Sequence, residues 1–331
     1  MNGRVFIIAE AGVNHNGSLD LALKLVDVAA EAGVDAVKFQ TFRADTLVSP
    51  DAPKADYQKK NDGTAESQYE MLKRLELSDS DHQAILQRCA ERGVEFLSTP
   101  FDVDDIEFLY KLGLSRMKVP SGAITDYPYL RRINECGLPV LLSTGMSTLD
   151  EVSNAVAVLK DCPLTLLHCT TEYPCPYNAV NLRAMLALRD HFGFPFGYSD
   201  HTEGIGASFA AVAMGASVIE KHFTLDRSLP GPDHKASVTP EELKKLVFAI
   251  RQVESALGDG YKIPAPIELK NIAIARKSIV AKVAIKRGEI FTEDNLTTRR
   301  PGTGLSPMMW PNLIGQSSRF TYAAGEQLRL Q

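Results

Sequence analysis

Polar and charged side chains stand at the carboxyl end of nearly every apolar strand that the sequence predicts. One such residue could be a hydrogen-bonded core group, but many together are expensive to bury without partners. Because side chains alternate along a strand, residues two apart share a face. We therefore predict a polar pocket formed from Glu10, Lys38, Gln40, Thr99, Lys118, Ser121, Ser143, Thr144, His168, Thr170, Ser199, Asp200, His201, Glu220 and His222.

Two lysines are the cations of this predicted pocket. Lys38 and Lys118, surrounded by hydroxyl groups, suit an anion that carries both a phosphate and a carboxylate. Either lysine alone could instead form a salt bridge with a neighbouring carboxylate. A Schiff-base lysine, as in class I aldolases, is the chemical alternative. The surrounding hydroxyls are those of Thr99, Ser121, Ser143 and Ser199.

Two histidines end neighbouring predicted strands, the seventh and the eighth. The imidazoles of His201 and His222 could meet on one divalent ion, with Glu10 nearby directly or through water. Such a set with open positions suits Mn, Fe or Zn, although a buried, hydrogen-bonded histidine is the common alternative. Among the other histidines, His15 and His234 are weaker candidates, and we expect His82 and His191 on helix surfaces.

A loop rich in proline and glycine, RSLPGPDHKAS from Arg227, follows the eighth predicted strand. Its composition predicts a rigid loop over the mouth of the pocket. Asp233 on this loop could accept hydrogen bonds from a polyhydroxylated substrate. A plain solvent loop is the alternative.

Repeated strand–helix units must position these residues. Roughly eight β/α units in about 260 residues are what a (β/α)₈ barrel requires. A doubly wound open sheet is the alternative, but no GxGxxG follows the first strand. The predicted strands begin at Val5, Val34, Val94, Ser115, Leu138, Thr165, Phe194 and Ser217.

The sequence also predicts where several of the helices begin and end. Ser18 and Asp79 are expected N-caps, because their side chains can accept hydrogen bonds from free backbone N–H groups. Glycines are expected to end helices where the chain turns left-handed. These are Gly33, Gly93, Gly113 and Gly137.

Two segments interrupt the repeat. A charged connection from about Thr41 to Ser78 follows the second strand and could form a functional wall or a solvated insertion. After Gly258 the pattern changes to a proline-punctuated segment and then to short strands, with a tight turn at 286–288. We predict a barrel domain over 1–262, a linker over 263–277 and a small β-rich domain over 278–331, which buries little surface alone.

Composition excludes several classes of partner. The chain has 331 residues and a net charge of −5, without a basic run, so nucleic-acid binding is not expected. No apolar stretch is long enough for a bilayer span, and no signal peptide is recognisable. The five cysteines contain no CxxC pair. They are typical of reduced thiols, which favours a cytoplasmic protein without membrane association.

The order of motifs resembles one family over essentially the whole chain. IIAEAGVNHNG, VKFQTF, STPFD, KVPSG, LSTGM, LHCTTEYPCP, YSDHT, EKHFTLD and GPDHKAS are similar to motifs of the bacterial N-acetylneuraminate (sialic acid) synthases. That family includes the closely related legionaminic and pseudaminic acid synthases. The segment RKSIVAKVAIKRGEIFTEDNLTTRRPGTGLSP resembles the family's antifreeze-like (SAF) domain.

The resemblance implies a condensation of phosphoenolpyruvate with N-acetylmannosamine and water, giving N-acetylneuraminate and phosphate by C–O cleavage. It implies that His201 and His222 bind Mn²⁺, or Mg²⁺ or Co²⁺, which polarises the sugar aldehyde, with Glu10, His222 and Asp233 as catalytic residues. Phosphoenolpyruvate would be held by Lys38, Thr99, Lys118, Ser121, Ser143 and Ser199, and the sugar by Gln40, Tyr173, Asp233 and Arg300.

The same resemblance implies a domain-swapped homodimer in which Arg300 reaches the partner's barrel. This chain departs from the family's pattern at one position, because Thr171 stands where some relatives carry Asn. The alternative substrate is a diacetamido-dideoxy hexose, in a legionaminic or pseudaminic acid synthase. A Schiff-base aldolase using Lys38 or Lys118 is the second hypothesis. The third is a C-terminal domain that binds ice or glycan while the barrel serves as a scaffold.

Overall fold

A computed structural model describes residues 3–54 and 66–329, and the chain divides into two compact units, Met1–Asp259 and Gly260–Gln331. The boundary falls shortly before residue 262, where we placed the end of the barrel domain. The expected linker, 263–277, contains a helix, Pro266–Ala275, that groups with the second unit. Proline is tolerated in the first turn of a helix, where its missing N–H has no intrahelical partner, so a proline-rich segment need not be a linker.

Eight parallel strands form one sheet in the first unit, in the order β3-β2-β1-β8-β7-β6-β5-β4. The strands at the two ends of this order lie side by side, so the sheet closes on itself. This confirms the predicted (β/α)₈ barrel. The strands are β1 (Phe6–Gly12), β2 (Ala36–Thr41), β3 (Glu95–Pro100), β4 (Met117–Val119), β5 (Val140–Ser143), β6 (Leu164–His168), β7 (Phe196–Asp200) and β8 (Val218–His222).

Helices alternate with the strands along the chain. Their apolar faces are buried against the barrel, as Leu25, Ile106 and Ile250 illustrate with no exposed surface. The helices of the first unit are α1 (Leu19–Ala32), α2 (Ala44–Leu47), α3 (Gln68–Leu75), α4 (Asp79–Arg92), α5 (Val103–Leu112), α6 (Tyr127–Cys136), α7 (Leu149–Val158), α8 (Ala184–Phe192), α9 (Gly206–Ala213) and α10 (Pro240–Leu257).

An apolar layer fills the interior of the barrel below the predicted pocket. Because side chains alternate, the residues two positions further along these strands point into the same interior. Ile8 is thus followed by Glu10, Ala36 by Lys38, and Val218 by Glu220. The layer consists of Ile8, Ala36, Leu97, Leu141, Leu167 and Val218, all buried.

Capping residues stand at the beginnings and ends of the helices, largely as predicted. The Ser18 hydroxyl accepts a hydrogen bond from the N–H of Leu21, and the predicted glycine positions are left-handed at the ends of α1, α4, α5 and α6. The Asp79 prediction was wrong. The cap of α4 is Ser78, whose hydroxyl accepts from the N–H of Asp81 while the Asp81 carboxylate accepts from the N–H of Ser78. Two reciprocal bonds satisfy two free donors, which a cap at Asp79 would not.

The enlarged connection after β2 carries α2 and α3; residues 55–65, which include most of KADYQKKN, lie outside the described residues. Its apolar side chains pack with Val13 of the turn after β1. Gly17 in that turn has φ +73°, and a Cβ there would lie 2.3 Å from the carbonyl oxygen of Arg74. The close approach of α3 to the barrel therefore requires glycine.

The second unit contains α11 (Pro266–Ala275), β9 (Ser278–Ala281), β10 (Leu296–Arg299) and α12 (Trp310–Leu313). β9 and β10 pair antiparallel around a small apolar core that includes Ile279, Phe291 and Tyr322. The predicted tight turn forms at 286–288, where Gly288 has φ +87°. Across residues 3–54 and 66–329, no helix combines the length and the hydropathy needed to cross a bilayer.

Candidate active site

A cavity of about 340 Å³ opens at the carboxyl ends of the barrel strands. All the barrel residues singled out for phosphoenolpyruvate, sugar or metal line it, whereas Arg300 belongs to the second unit. The fold thus brings together side chains that lie far apart along the chain. The lining includes Glu10, Lys38, Gln40, Thr99, Lys118, Ser121, Ser143, Tyr173, Ser199, His201, His222 and Asp233.

Lys38 lies at the centre of the charged floor of the cavity, which we define as Glu10, Lys38, Thr99, Lys118, Ser143, Ser199 and Glu220. Its Nζ lies 2.7 Å from Oε2 of Glu10 and 3.7 Å from Oε2 of Glu220, and it donates a 2.9 Å hydrogen bond to the Thr99 hydroxyl. Burial alone would lower the pKa of Lys38, but the charges of Glu10 and Glu220 outweigh burial and raise it. A lysine held protonated in this way is a poor Schiff-base nucleophile, since that reaction needs the free amine.

Lys118 is the second cation of the floor. It donates a 2.8 Å hydrogen bond to the Ser143 hydroxyl and lies 3.8 Å from Oε1 of Glu220. Glu220 also accepts a 2.8 Å hydrogen bond from Ser199. Glu220 therefore links both lysines to the hydroxyl groups. We assigned it no role from the sequence, although its alternation with His222 was visible there.

The two floor carboxylates have different proton affinities. Burial raises the pKa of Glu10 to about 7, against the opposing charge of Lys38. Burial acts in the same direction on Glu220, but Lys118 and Lys38 outweigh it and lower the pKa of Glu220. At neutral pH Glu220 is therefore ionised, whereas Glu10 is close to the midpoint of its titration. Burial also lowers the pKa of Lys118, against the opposing charge of Glu220. The two lysines are the cations of the floor that an incoming anion would meet.

His201 and His222 face each other, with ring centroids 5.6 Å apart. Nδ1 of His201 lies 2.7 Å from the carbonyl oxygen of Thr170, which fixes the proton there and leaves Nε2 with its lone pair. Among the described residues, the buried Nδ1 of His222 has no hydrogen-bond partner. Burial lowers the pKa of His201 to about 4 and that of His222 well below its usual value, so both imidazoles are neutral.

These neutral, inward-facing nitrogens fit a divalent ion, because metals bind the unprotonated imidazole. Glu10 does not complete the set: within residues 3–54 and 66–329, no three His, Cys, Asp or Glu side chains lie close enough together to hold a metal ion. The predicted carboxylate is paired with Lys38 instead.

The sugar candidates stand over the two histidines. The Tyr173 ring lies 4.1 Å from the His201 ring and 5.5 Å from the His222 ring, measured between centroids. Oδ2 of Asp233 lies 3.8 Å from Nδ1 of His222, and burial raises the pKa of Asp233 to about 6. The loop that carries Asp233 thus reaches into the cavity, as predicted, rather than into solvent.

One corner of the cavity is built around Gly145. Its N–H donates a 3.0 Å hydrogen bond to the Ser121 hydroxyl, which also lies 3.2 Å from Sγ of Cys169. A Cβ at Gly145 would lie 2.6 Å from Oγ1 of Thr171 and 2.8 Å from Oγ of Ser121. Thr171 therefore supplies a hydroxyl to the same corner. Neither Gly145 nor Cys169 was predicted.

If this corner holds phosphoenolpyruvate, as the resemblance implies, Gly145→Ala should raise KM for phosphoenolpyruvate by about 10-fold, equivalent to about 1.4 kcal/mol, because the added methyl group would displace the Ser121 and Thr171 hydroxyls. Steady-state kinetics at saturating sugar measure this change. Gly206→Ala is the matched control, since its Cβ would meet only the Tyr177 side chain, with the hydroxyl oxygen at 3.6 Å, away from the cavity. An unchanged KM in Gly145→Ala would remove this corner from the anion site.

A family model described as the NeuB family matches residues 25–262, and a SAF-domain model matches residues 276–331. The first match alone covers more than half of the chain. The chain belongs to the NeuB family.

Full-length relatives agree with this assignment. An N,N'-diacetyllegionaminic acid synthase of Campylobacter jejuni is 51% identical over 98% of this chain and 99% of its own length. A Legionella pneumophila protein of the same name is 50% identical over 98% of this chain and 93% of its own length. The crystal structure of an N-acetylneuraminic acid synthetase from Leptospira borgpetersenii superposes with a TM-score of 0.73 at 36% identity, over 82% of this chain and 91% of that one.

Directly behind the two histidines of this NeuB-family site lies a fully buried ion pair. Asp200 and Lys221 precede His201 and His222 in sequence and point outward from the barrel, with Lys221 Nζ 3.2 Å from Asp200 Oδ2. Lys221 also donates to the Thr202 carbonyl, and Asp200 accepts from the N–H of Thr202 and the Ser208 hydroxyl. This ion pair joins the carboxyl ends of β7 and β8, next to His201 and His222.

Several polar residues assigned to the pocket do not line it in this NeuB-family chain. Asp200 is paired with Lys221, the Thr144 hydroxyl donates to the Leu167 carbonyl, and His168 contacts the Val180 carbonyl. The Thr170 hydroxyl donates to the Ala179 carbonyl, so only its own carbonyl serves the site. The polar side chain of each of these residues forms a local bond outside the cavity. The alternation of side chains along a strand does not exclude such local bonds.

The remaining histidines also lie outside the cavity of this NeuB-family chain. The prediction for His82 was wrong: it is buried, with Nε2 2.8 Å from the Thr41 hydroxyl and Nδ1 2.9 Å from the Ser78 carbonyl. His191 is exposed, as predicted. His15 and His234 are buried in the turns after β1 and β8.

Proposed function

We propose that this chain is a phosphoenolpyruvate-dependent nonulosonate synthase that makes N,N'-diacetyllegionaminate from a diacetamido sugar. The two legionaminic acid synthases at about half identity over nearly full length support this substrate over N-acetylmannosamine, which the sequence analysis had put first. N-acetylneuraminate synthesis is supported at the level of the family.

The observation that carries the proposal is that a single cavity contains both a set of groups suited to an anion and a pair of histidines suited to a metal ion. Lys38 and Lys118 stand among hydroxyl groups beside two neutral histidines in a single cavity. An anion bound by the lysines and an aldehyde bound near the histidines would lie within reach of each other, which is the arrangement that a condensation needs.

In this proposal, the two ammonium groups hold the phosphate and carboxylate of phosphoenolpyruvate, with hydroxyl groups of Thr99, Ser121, Ser143 and Ser199 around them. C3 of phosphoenolpyruvate attacks the aldehyde carbon and forms the new C–C bond. Water then adds at C2, and cleavage of the C–O bond releases phosphate. Glu10, on the floor beside Lys38, holds the attacking water, while Gln40, Tyr173 and Asp233 hold the sugar.

We further propose that His201 and His222 hold a divalent ion, most simply Mn²⁺, with Mg²⁺ or Co²⁺ as alternatives. When bound, such an ion supplies Lewis-acid polarisation of the sugar aldehyde. The chain's own part is to keep both imidazoles neutral by burial and to fix the His201 tautomer through the Thr170 carbonyl. Two protein ligands leave open positions for the substrate.

The proposed assembly is a domain-swapped homodimer in which Arg300 contacts the sugar in the partner's site. Arg300 lies in the RRPG turn of the second unit and donates through Nε to the carbonyl of Ala275. This contact leaves the terminal guanidinium nitrogens for a substrate.

A product assay tests the proposed function. We expect phosphoenolpyruvate and the diacetamido sugar to give a nonulosonate by mass spectrometry with one phosphate released per product, at higher kcat/KM than with N-acetylmannosamine. EDTA should abolish turnover, and Mn²⁺ should restore it. Trapping of pyruvate on the protein by borohydride would instead support a Schiff-base aldolase, and absence of any condensation would leave the barrel as a scaffold.

A further inference from the structure

The cavity has an apolar wall that the reaction at its floor does not use. The wall comes from the connection after β2, which carries α2 and α3, and from the turn after β3. Among the described residues of that connection that line the cavity, Gln68 alone is polar. We define the apolar wall as Phe42, Leu47, Val48, Met71, Leu72 and Phe101.

This wall is structurally supported. Phe42, Met71 and Leu72 are buried in a cluster with Val13 and Leu75, and the rings of Phe42 and Phe101 meet edge to face, with centroids 6.0 Å apart. Leu47 and Val48 pack on this cluster but remain partly exposed at the cavity. The buried members hold the wall in shape, and the partly exposed members present apolar surface to the cavity.

In the proposed reaction, the floor and the apolar wall would face opposite ends of the sugar. The aldehyde carbon must lie at the floor, near Lys38, Lys118 and the two histidines, for the proposed condensation to occur. The far end of the sugar chain is then directed out of the barrel, where α2 and α3 stand. A hydroxyl group pressed against apolar side chains loses its water without gaining a partner, whereas a methyl group gains by burial.

We propose that the apolar wall selects sugars whose far end carries fewer hydroxyl groups and more methyl surface, as a diacetamido-dideoxy hexose does compared with N-acetylmannosamine, with Leu47 and Val48 contacting a methyl group of that sugar. This inference rests on the proposed synthase activity and assigns its sugar specificity to the connection after β2. One apolar group recognised in this way changes kcat/KM by about 10- to 200-fold.

The test compares kcat/KM for the diacetamido sugar with that for N-acetylmannosamine in the wild-type chain and in two variants. Val48→Thr keeps the side-chain shape and adds a hydroxyl group, and Leu47→Asn replaces an isobutyl group with an amide. We expect each variant to lower the preference for the diacetamido sugar by about 10-fold, through a higher KM for that sugar. KM for phosphoenolpyruvate should not change, since the lysines are untouched.

Val103→Thr is the matched control, because Val103 is 39% exposed at the start of α5 and does not line the cavity. If the wild type and both variants show the same ratio of kcat/KM for the two sugars, the wall does not select the sugar, although the chain is still a synthase. Equal kcat/KM of the wild type for both sugars would lead to the same conclusion. If neither sugar reacts, the proposed function fails, and the inference fails with it. Val48→Thr, the near-isosteric change, keeps the test valid if Leu47→Asn does not fold.

Discussion

Replacement of His222 by alanine is expected to abolish divalent-metal binding and to lower kcat/KM by on the order of 10³-fold, or about 4 kcal/mol of transition-state stabilisation. One of two facing imidazoles is removed, and a single imidazole holds a divalent ion weakly. The fold should persist, because among the described residues Nδ1 of His222 has no hydrogen-bond partner to lose. Mn²⁺ binding followed by electron paramagnetic resonance measures the loss independently of turnover.

His191→Ala is the matched control for this change, since His191 is exposed on α8 and lies outside the cavity. Its metal content and activity should equal those of the wild type. Full activity with unchanged metal content in His222→Ala would rule out the histidine pair as a metal site.

The same variant tests the swapped dimer. A mixture of His222→Ala and Arg300→Ala chains, unfolded and refolded together, should recover activity that neither variant has alone. In the mixed dimer an intact barrel would receive Arg300 from the partner chain. Recovery of no activity, despite formation of mixed dimers, would place Arg300 in its own chain's site or outside any site.

Replacement of Lys221 by methionine is expected to destabilise the protein by about 3–5 kcal/mol. Asp200 is completely buried and would lose the ammonium group that lies 3.2 Å from it. For a domain of this size, such a loss lowers the melting temperature by roughly 10 °C. Thermal and urea unfolding, monitored by circular dichroism, measure the change.

Lys244→Met is the matched control, because the Lys244–Glu31 pair is 3.8 Å apart and both side chains are more than half exposed. A surface pair of this kind contributes about 0–1 kcal/mol. The double variant Asp200→Asn, Lys221→Met should recover part of the lost stability, since it removes the unpaired carboxyl group. Equal stability of the Lys221→Met and Lys244→Met variants would contradict the structural role of the buried pair.

The barrel and its polar floor could be predicted from the sequence because both depend on short periodicities. Alternation within a strand places Lys38 with Gln40 and Glu220 with His222, and parallel strands bring their carboxyl ends together. The same rule cannot tell which strand-end residue finds a local partner. Asp200 and His168 stand at strand ends as His222 does, yet bonds to Lys221 and to the Val180 carbonyl hold them outside the cavity.

The apolar wall could not be predicted from the sequence, and the physical reason is a different one. Leu47, Val48 and Met71 are ordinary apolar residues in a charged segment, and nothing in their spacing separates a cavity lining from a small core. His82 was misassigned because its partner Thr41 lies on β2, far away in sequence; its other partner, the Ser78 carbonyl, belongs to the N-cap of its own helix. The helix Pro266–Ala275 was missed because prolines were interpreted as breaks, although one of them occupies its first position.

Gly17 sets a condition for engineering new sugar preferences into this scaffold. The connection from residue 42 to 78 is one continuous stretch, so exchanging it with that of a relative would change the wall and leave the reacting groups in place. The carbonyl of Arg74 lies so close to Gly17 that any donor segment must bring the helix that replaces α3 back along the same path. Libraries that recombine this stretch should therefore hold Gly17 constant and vary the segment as a block.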